Sequence, residues 1–267
     1  MTAFNIKEIP GTMKKIKKVK KLGLALGGGA VLGAAHIGVL RALDEFELSV
    51  SFIAGTSIGA FVAAFAAFGK KWDQIEEIAK DLKWMDISGI SISQYGLLNN
   101  ERMGTLITEH LGDKRFEDSD IPLAMIATDI ASGKKVILNS GEVVKSVMAS
   151  TCIPGIFIPV EMDGKLLVDG GIVENVPITP LKEMGADYII AVDLNAGLRP
   201  KKPENIIDVI LNTFDFTLMT ATKLQTKEVD ILITPDLSDF NMVDTDQIED
   251  LIEKGYSEAK EILAKVV

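Results

Sequence analysis

Histidine is nearly missing from this chain. His36 and His110 are the only two in 267 residues, and none follows residue 110. A serine nucleophile on the common α/β-hydrolase plan takes its base from a histidine late in the chain, after the acid. That plan is excluded here, because most of the strands are still to come after His110. Cysteine is almost as scarce. Cys152 stands alone, which excludes an internal disulfide framework and fits a reducing, cytoplasmic compartment. Positive charge is in deficit as well. The formal net charge of −10 argues against a nucleic-acid partner. A membrane-spanning run is also wanting. Phe52 to Gly69 carries no charge and reaches the lower length limit for a span, but three glycines and a Thr-Ser pair interrupt it.

What that stretch does contain organises the chain. Phe52-Ile53-Ala54 suits a short buried strand. Gly55-Thr56-Ser57-Ile58-Gly59 makes a sharp turn, and small residues continue as a helix to about Phe68. Strand, G-x-S-x-G turn and helix together form a nucleophile elbow. Gly55 and Gly59 leave the turn free of bulk. The Ser57 hydroxyl then stands near a helix N-terminus, where free N–H groups favour developing negative charge. The motif alone arises by chance often enough to be weak, and its context carries the weight.

The remaining chain alternates strand and helix, which predicts an α/β fold with a largely parallel central sheet flanked by helices. Residues 1–21 form a basic arm, with six lysines between Lys14 and Lys21. They precede one expected domain over residues 22–267. The apolar run that follows the lysines belongs to the fold as a first strand, Leu22 to Leu26, and not to a secretory signal. The arm is either a solvated tail or a lipid-facing segment, each basic residue near an anionic surface contributing about 1 kcal/mol. Further helices are expected over Gly33–Glu47, Trp72–Leu82, Glu101–Leu111, Glu142–Ser150, Pro177–Met184, Asn205–Leu224 and Asp244–Val267. Further strands are expected over Pro122–Asp129, Lys134–Leu138, Leu166–Val168, Ala186–Leu194 and Ile231–Thr234. Ile153–Val160 reads as extended, with bends marked by its two prolines, and Met85–Asn100 has no clean period and reads as a loop.

If Ser57 is a nucleophile, a carboxylate must serve as its base. Asp169 is the best placed, at a strand end and followed by Gly170 and Gly171, which let the backbone turn and leave room for an acyl group. Asp-Gly-Gly is also an ordinary turn sequence, and spacing alone does not choose. Donors for an oxyanion are offered by Gly27-Gly28-Gly29-Ala30 at a strand-to-helix junction. Gly27, Gly29 and Gly33 also form a loose dinucleotide-binding pattern. That role needs an acid at the end of the next strand, which here ends Ala54-Gly55-Thr56-Ser57.

The stretches GGGAVLGAAHIGVLRAL, GTSIGA, ASTCIPGIFIPV and DGGIVENVPITPL occur in that order. In these motifs, from about Leu22 to Leu194, the chain resembles the patatin-like phospholipases. The resemblance implies a three-layer αβα fold and a lipid acyl hydrolase with a Ser-Asp dyad. It implies Ser57 as nucleophile, Asp169 as base and the Gly27–Ala30 backbone as oxyanion hole, with no metal and no cofactor. One departure is Leu32, where the family usually carries a basic residue just before the glycine matching Gly33. The substrate expected is a lipid or acyl ester. Peripheral contact with the inner membrane face is expected through the lysine arm and the apolar stretch carrying Ile87, Ile90, Ile92, Tyr95, Leu97 and Leu98.

Overall fold

A computed structural model describes residues 21–81, 89–93, 96–197, 202–203, 206–242 and 244–267. The expected lysine arm through residue 20 lies outside the described residues, as do Ile87 and Tyr95. The chain begins with strand β1 (Leu22–Leu26), helix α1 (Ala34–Glu45), β2 (Phe52–Thr56), α2 (Ile58–Ala67) and α3 (Trp72–Asp81). There follow β3 (Gly89–Ser93), β4 (Gly96–Asn99), α4 (Glu101–Leu111), β5 (Leu123–Asp129), β6 (Lys134–Leu138) and α5 (Val143–Ser150). Then come β7 (Val160–Met162), β8 (Lys165–Asp169), α6 (Gly171–Glu174), α7 (Ile178–Met184) and β9 (Tyr188–Val192). The chain closes with α8 (Ile206–Gln225), β10 (Ile231–Ile233) and α9 (Ile248–Val266).

The main sheet runs β10-β9-β1-β2-β5-β8-β7, with β6 also paired to β5. From β10 to β5 all pairings are parallel; β6, β7 and β8 are antiparallel. The parallel strands read as continuous apolar runs because helices cover both of their faces. Alternation along each strand divides those faces by size. Leu22, Leu24 and Leu26 of β1 join Ile53, Met125, Ile190 and Val192 in one large core beneath α1, α2 and α9. The opposite face is lined by Ala25, Ala54, Ala124 and Ala191, against which Ile178 and Leu181 of α7 pack. Small residues there let α7 approach closely. A side chain at Gly23 would stand 2.9 Å from Ala186 Cβ.

The C-terminal helix is seated by two glycines. A Cβ at Gly38 would lie 1.9 Å from Ile252 O, and one at Gly255 would lie 2.0 Å from Ala35 O. Thus α1 and α9 touch backbone to backbone. The uncharged stretch Phe52–Gly69 is divided between β2 and α2, and no helix among the described residues is long and apolar enough to cross a membrane.

One reading of the sequence needs correction and a second needs sharpening. The expected loop at Met85–Asn100 contains a hairpin, β3 against β4, with Ile90 opposite Leu98. The alternation of glycine or serine with isoleucine in Gly89–Ser93 is a strand period too short to stand out. The bend expected at the prolines of Ile153–Val160 is a full turn centred on Gly155. The Gly155 φ of +78° suits glycine, and both Ile156 N–H and Phe157 N–H donate to Ile153 O. The hairpin docks on that turn. Leu98 N–H donates to Ile156 O, and Ile158 N–H donates to Leu98 O, each at 2.9 Å.

Candidate active site

Register brings Ser57 and Asp169 together. Thr56, the last residue of β2, pairs with Ile126 of β5, and the next β5 residue, Ala127, pairs with Asp169 of β8. Ser57 and Asp169 therefore flank β5 at one level, two strand spacings apart, within reach of facing side chains. Ser57 Oγ donates to Asp169 Oδ2 at 2.6 Å.

The turn that carries Ser57 is strained. Its φ of 55° and ψ of −129° lie outside the regions that side chains favour, a conformation that costs about 1–3 kcal/mol and persists where the surroundings enforce it. Those surroundings are visible. A Cβ at Gly55 would lie 2.3 Å from Gly59 O, and one at Gly59 would lie 2.1 Å from Leu26 O. The Ser57 N–H donates to Ser150 Oγ at 2.9 Å, and that hydroxyl donates onward to Ile126 O at 2.6 Å.

Asp169 is fully buried. Its Oδ1 accepts the Gly171 N–H at 2.8 Å, which leaves Oδ2 for Ser57. Its own backbone is held at both ends. The N–H donates to Cys152 O at 2.8 Å, and the carbonyl accepts from Thr128 Oγ1 at 2.9 Å. Gly170 cannot carry a side chain, because its Cβ would lie 2.2 Å from Ile126 O. Burial pushes the Asp169 carboxyl up to about 7, against the opposing pull of the Ser57 and Gly171 hydrogen bonds. Burial, with the neighbouring Asp169 charge, pushes the Cys152 thiol up to about 12. It is a neutral packing residue.

The loop after β1 lies against the serine. A Cβ at Gly28 would stand 3.1 Å from Ser57 Cβ and 2.8 Å from Asn175 Oδ1. The four residues singled out in the sequence divide into two pairs. Gly27 N–H donates to Val192 O, and Gly28 N–H is shared by the carbonyl and side-chain oxygens of Asn175. Among the described residues the N–H groups of Gly29 and Ala30 have no acceptor, and Ala30 holds a φ of 51°. The loop's carbonyls are also fastened. His36 Nε2 donates to Gly27 O at 2.7 Å, Asn195 Nδ2 donates to Gly28 O at 2.8 Å, and Leu32 N–H donates to Gly29 O at 3.1 Å. Leu32, in the place of a basic residue, is buried in the main core and supports the loop through its backbone. Burial lowers the His36 pKa to about 4, so the ring is neutral.

Sequence reading missed Ser150, Asn175, Asn195 and the work of His36. Ser150, Asn175 and His36 lie inside the motif stretches but away from the residues that carry chemistry. Asn195 lies in none of them. Its one signal is position, just past the end of β9, where β9 and β2 leave β1 on opposite sides and loops diverge.

A patatin-like phospholipase family model matches residues 24–182. An uncharacterized NTE family protein of Mycobacterium bovis is 39% identical over 180 residues, covering 66% of this chain and 50% of its own. Lysophospholipase NTE1 of Yarrowia lipolytica is 28% identical over 192 residues, 69% of this chain and 13% of its own. Among solved structures, VipD from Legionella pneumophila aligns over 92% of this chain and 67% of its own, with a TM-score of 0.52 at 15% identity. That likeness speaks to the fold. The chain spans half or less of these curated relatives. With the family model covering more than half of its residues, the chain belongs to the patatin-like phospholipase family.

Proposed function

We propose that the protein is a serine acyl hydrolase of lipid esters, of phospholipase A or lysophospholipase type. The observation that carries this reading is the 2.6 Å hydrogen bond from Ser57 Oγ, at the apex of a strained turn, to buried Asp169. In this reading Ser57 Oγ attacks the ester carbonyl carbon and its proton passes to Asp169 Oδ2. The carbonyl oxygen becomes an oxyanion held by the N–H groups of Gly29 and Ala30. Collapse breaks the bond to the leaving alcohol, which takes the proton from Asp169. Water then attacks the acyl-Ser57 ester, again giving its proton to Asp169. The fatty acid leaves as Ser57 recovers the proton. No step requires a metal or cofactor.

A carboxylate raised to about 7 suits this work, since a base acts best when its pKa lies near the working pH. The names borne by relatives, lysophospholipase NTE1 and patatin-like phospholipase domain-containing protein 7, support a lipid ester as substrate. We extend the proposal to peripheral attachment at an anionic membrane face through the lysines from Lys14 to Lys21.

Hydrolysis of p-nitrophenyl butyrate and of lysophosphatidylcholine by wild type and Ser57→Ala tests the chemistry. The variant should lose at least about 10³-fold in kcat with unchanged circular dichroism. Near-wild-type turnover by a folded Ser57→Ala protein would overturn it. Co-sedimentation with anionic liposomes tests attachment. Binding should weaken between low and high salt, and no binding at low salt would refute the attachment alone.

A further inference from the structure

Asn195 lies beyond both the matched family residues and the sequence motifs, yet it touches the loop most directly concerned with the oxyanion. It is buried, with 1% of its surface exposed. Three consecutive residues past β9 are committed to the same place. Asp193 Oδ1 accepts the Asn195 N–H at 2.9 Å and fixes its backbone. Leu194 fills the space beside Gly29, where a Cβ would stand 3.0 Å from Leu194 Cδ1. The Asn195 amide then donates to Gly28 O at 2.8 Å.

The consequence follows from the planarity of the peptide. The Gly28 carbonyl and the Gly29 N–H belong to one rigid trans unit and point in opposite directions. A donor that holds the carbonyl therefore sets where the N–H aims. Gly29 has one of the two unpartnered N–H groups in the loop, and glycine at both 28 and 29 leaves this peptide otherwise free to rotate.

The remaining atom of the side chain strengthens the argument. Asn195 Oδ1 is buried with no hydrogen-bond partner among the described residues. An orphaned acceptor costs stability, so a side chain serving only to fill this space would be apolar. We propose that Asn195 is a positioning residue, whose amide locks the Gly28–Gly29 peptide so that the Gly29 N–H meets the oxyanion. This rests on the acyl-hydrolase reading above.

Asn195→Leu keeps the approximate size and removes both the donor and the orphaned acceptor. With p-nitrophenyl butyrate, kcat should fall about 10–100-fold, short of the 10²–10³ seen when an oxyanion donor is deleted outright. KM should stay within about twofold, because the interaction serves the transition state. The thermal midpoint should stay within a few degrees of wild type, since the loss of the orphaned Asn195 Oδ1 is offset by the Gly28 carbonyl left without its donor. A purely structural residue would show the reverse, lost stability with kcat preserved. Asn195→Asp supplies a second arm should the leucine protein not fold. A carboxyl group donates to Gly28 O only while protonated, so the ratio of wild-type to variant kcat should grow as pH rises. A kcat within about threefold of wild type at every pH overturns the proposal, as does a change confined to KM. Ser57→Ala run alongside keeps the two claims apart. An active Ser57→Ala protein sinks the acyl-hydrolase reading and this proposal with it. An inactive one beside a fully active Asn195→Leu protein sinks this proposal alone.

Discussion

The two sides of the site are built to opposite rules. On the Ser57–Asp169 side the polar groups that hold the pair are engaged. The serine N–H and hydroxyl, both aspartate oxygens and the aspartate backbone all have partners. On the loop side, Gly29 N–H, Ala30 N–H and Asn195 Oδ1 lack them among the described residues. The contrast matches the two tasks of the proposed reaction. A proton relay must be set before substrate arrives, whereas an oxyanion hole must keep donors unfilled until charge develops. The closed side is fastened by Thr128 of β5, by Ser150 and Cys152 at the end of α5 and by Gly171 of α6. The open side is fastened by residues scattered from His36 to Asn195.

Replacing the proposed base should break the closed side most severely. Asp169→Asn is expected to lower kcat about 10²–10⁴-fold, the range of general-base catalysis, measured on a short-chain nitrophenyl ester. The same change should stabilise the protein in neutral and alkaline solution. The native carboxyl holds its proton up to about pH 7, while in the unfolded chain it ionises near 4. Wild-type stability therefore falls as pH rises from about 4 to 7 and stays lowered above. Thermal melts of Asp169→Asn should gain on wild type across that window, by on the order of 2–4 kcal/mol at pH 8.

On the open side, Gly28→Ala should cost about 10–100-fold in kcat through displacement of the loop. Its Cβ would press on Asn175 Oδ1 at 2.8 Å and on Ser57 Cβ at 3.1 Å. Equal kcat for Gly28→Ala and wild type would mean that the loop's distance from Ser57 is unimportant.

His36 supplies a smaller effect of opposite sign to that of Asp169. Its native pKa of about 4 lies below the ordinary value near 6.5. The unfolded chain takes up the proton first, so stability is lost as pH falls from about 6.5 to 4, by roughly 3 kcal/mol. Urea denaturation of wild type and His36→Gln over that interval measures it, the variant losing less. His110, half-buried at the edge of Phe65 with ring centroids 6.4 Å apart, takes no part in either side. His110→Ala should change kcat less than about twofold.

The same contrast explains what the sequence disclosed. Ser57 and its flanking glycines are adjacent in the chain, and strain there demands small residues at fixed spacing, so the turn was legible. Asp169 was a candidate by its place at a strand end before two glycines, an ordinary turn sequence, and its role as base came from the resemblance to the patatin-like phospholipases. That β1 and β9 are buried strands followed from the apolar runs Leu22–Leu26 and Ala186–Leu194. The loop's supports were not legible. An asparagine at 175 or 195 is an ordinary surface or turn residue until the fold brings Asn175 to the Gly28 N–H and Asn195 to the Gly28 carbonyl. The β3–β4 hairpin was hidden for a related reason. Its docking uses backbone hydrogen bonds to Ile156 and Ile158 and a glycine, Gly96, whose Cβ would lie 2.6 Å from the Phe157 carbonyl carbon, and neither is announced by an apolar pattern.

The most direct test of the account is the pH dependence of labelling by an alkyl fluorophosphonate, followed by intact mass and peptide mapping. One adduct should form, on Ser57, with a rate that rises with pH to a plateau around a midpoint of about 7. Asp169→Asn should abolish that rise and leave labelling slow throughout. An adduct on another residue, or a Ser57 rate that stays fast and independent of pH in Asp169→Asn, would contradict the Ser57–Asp169 pairing.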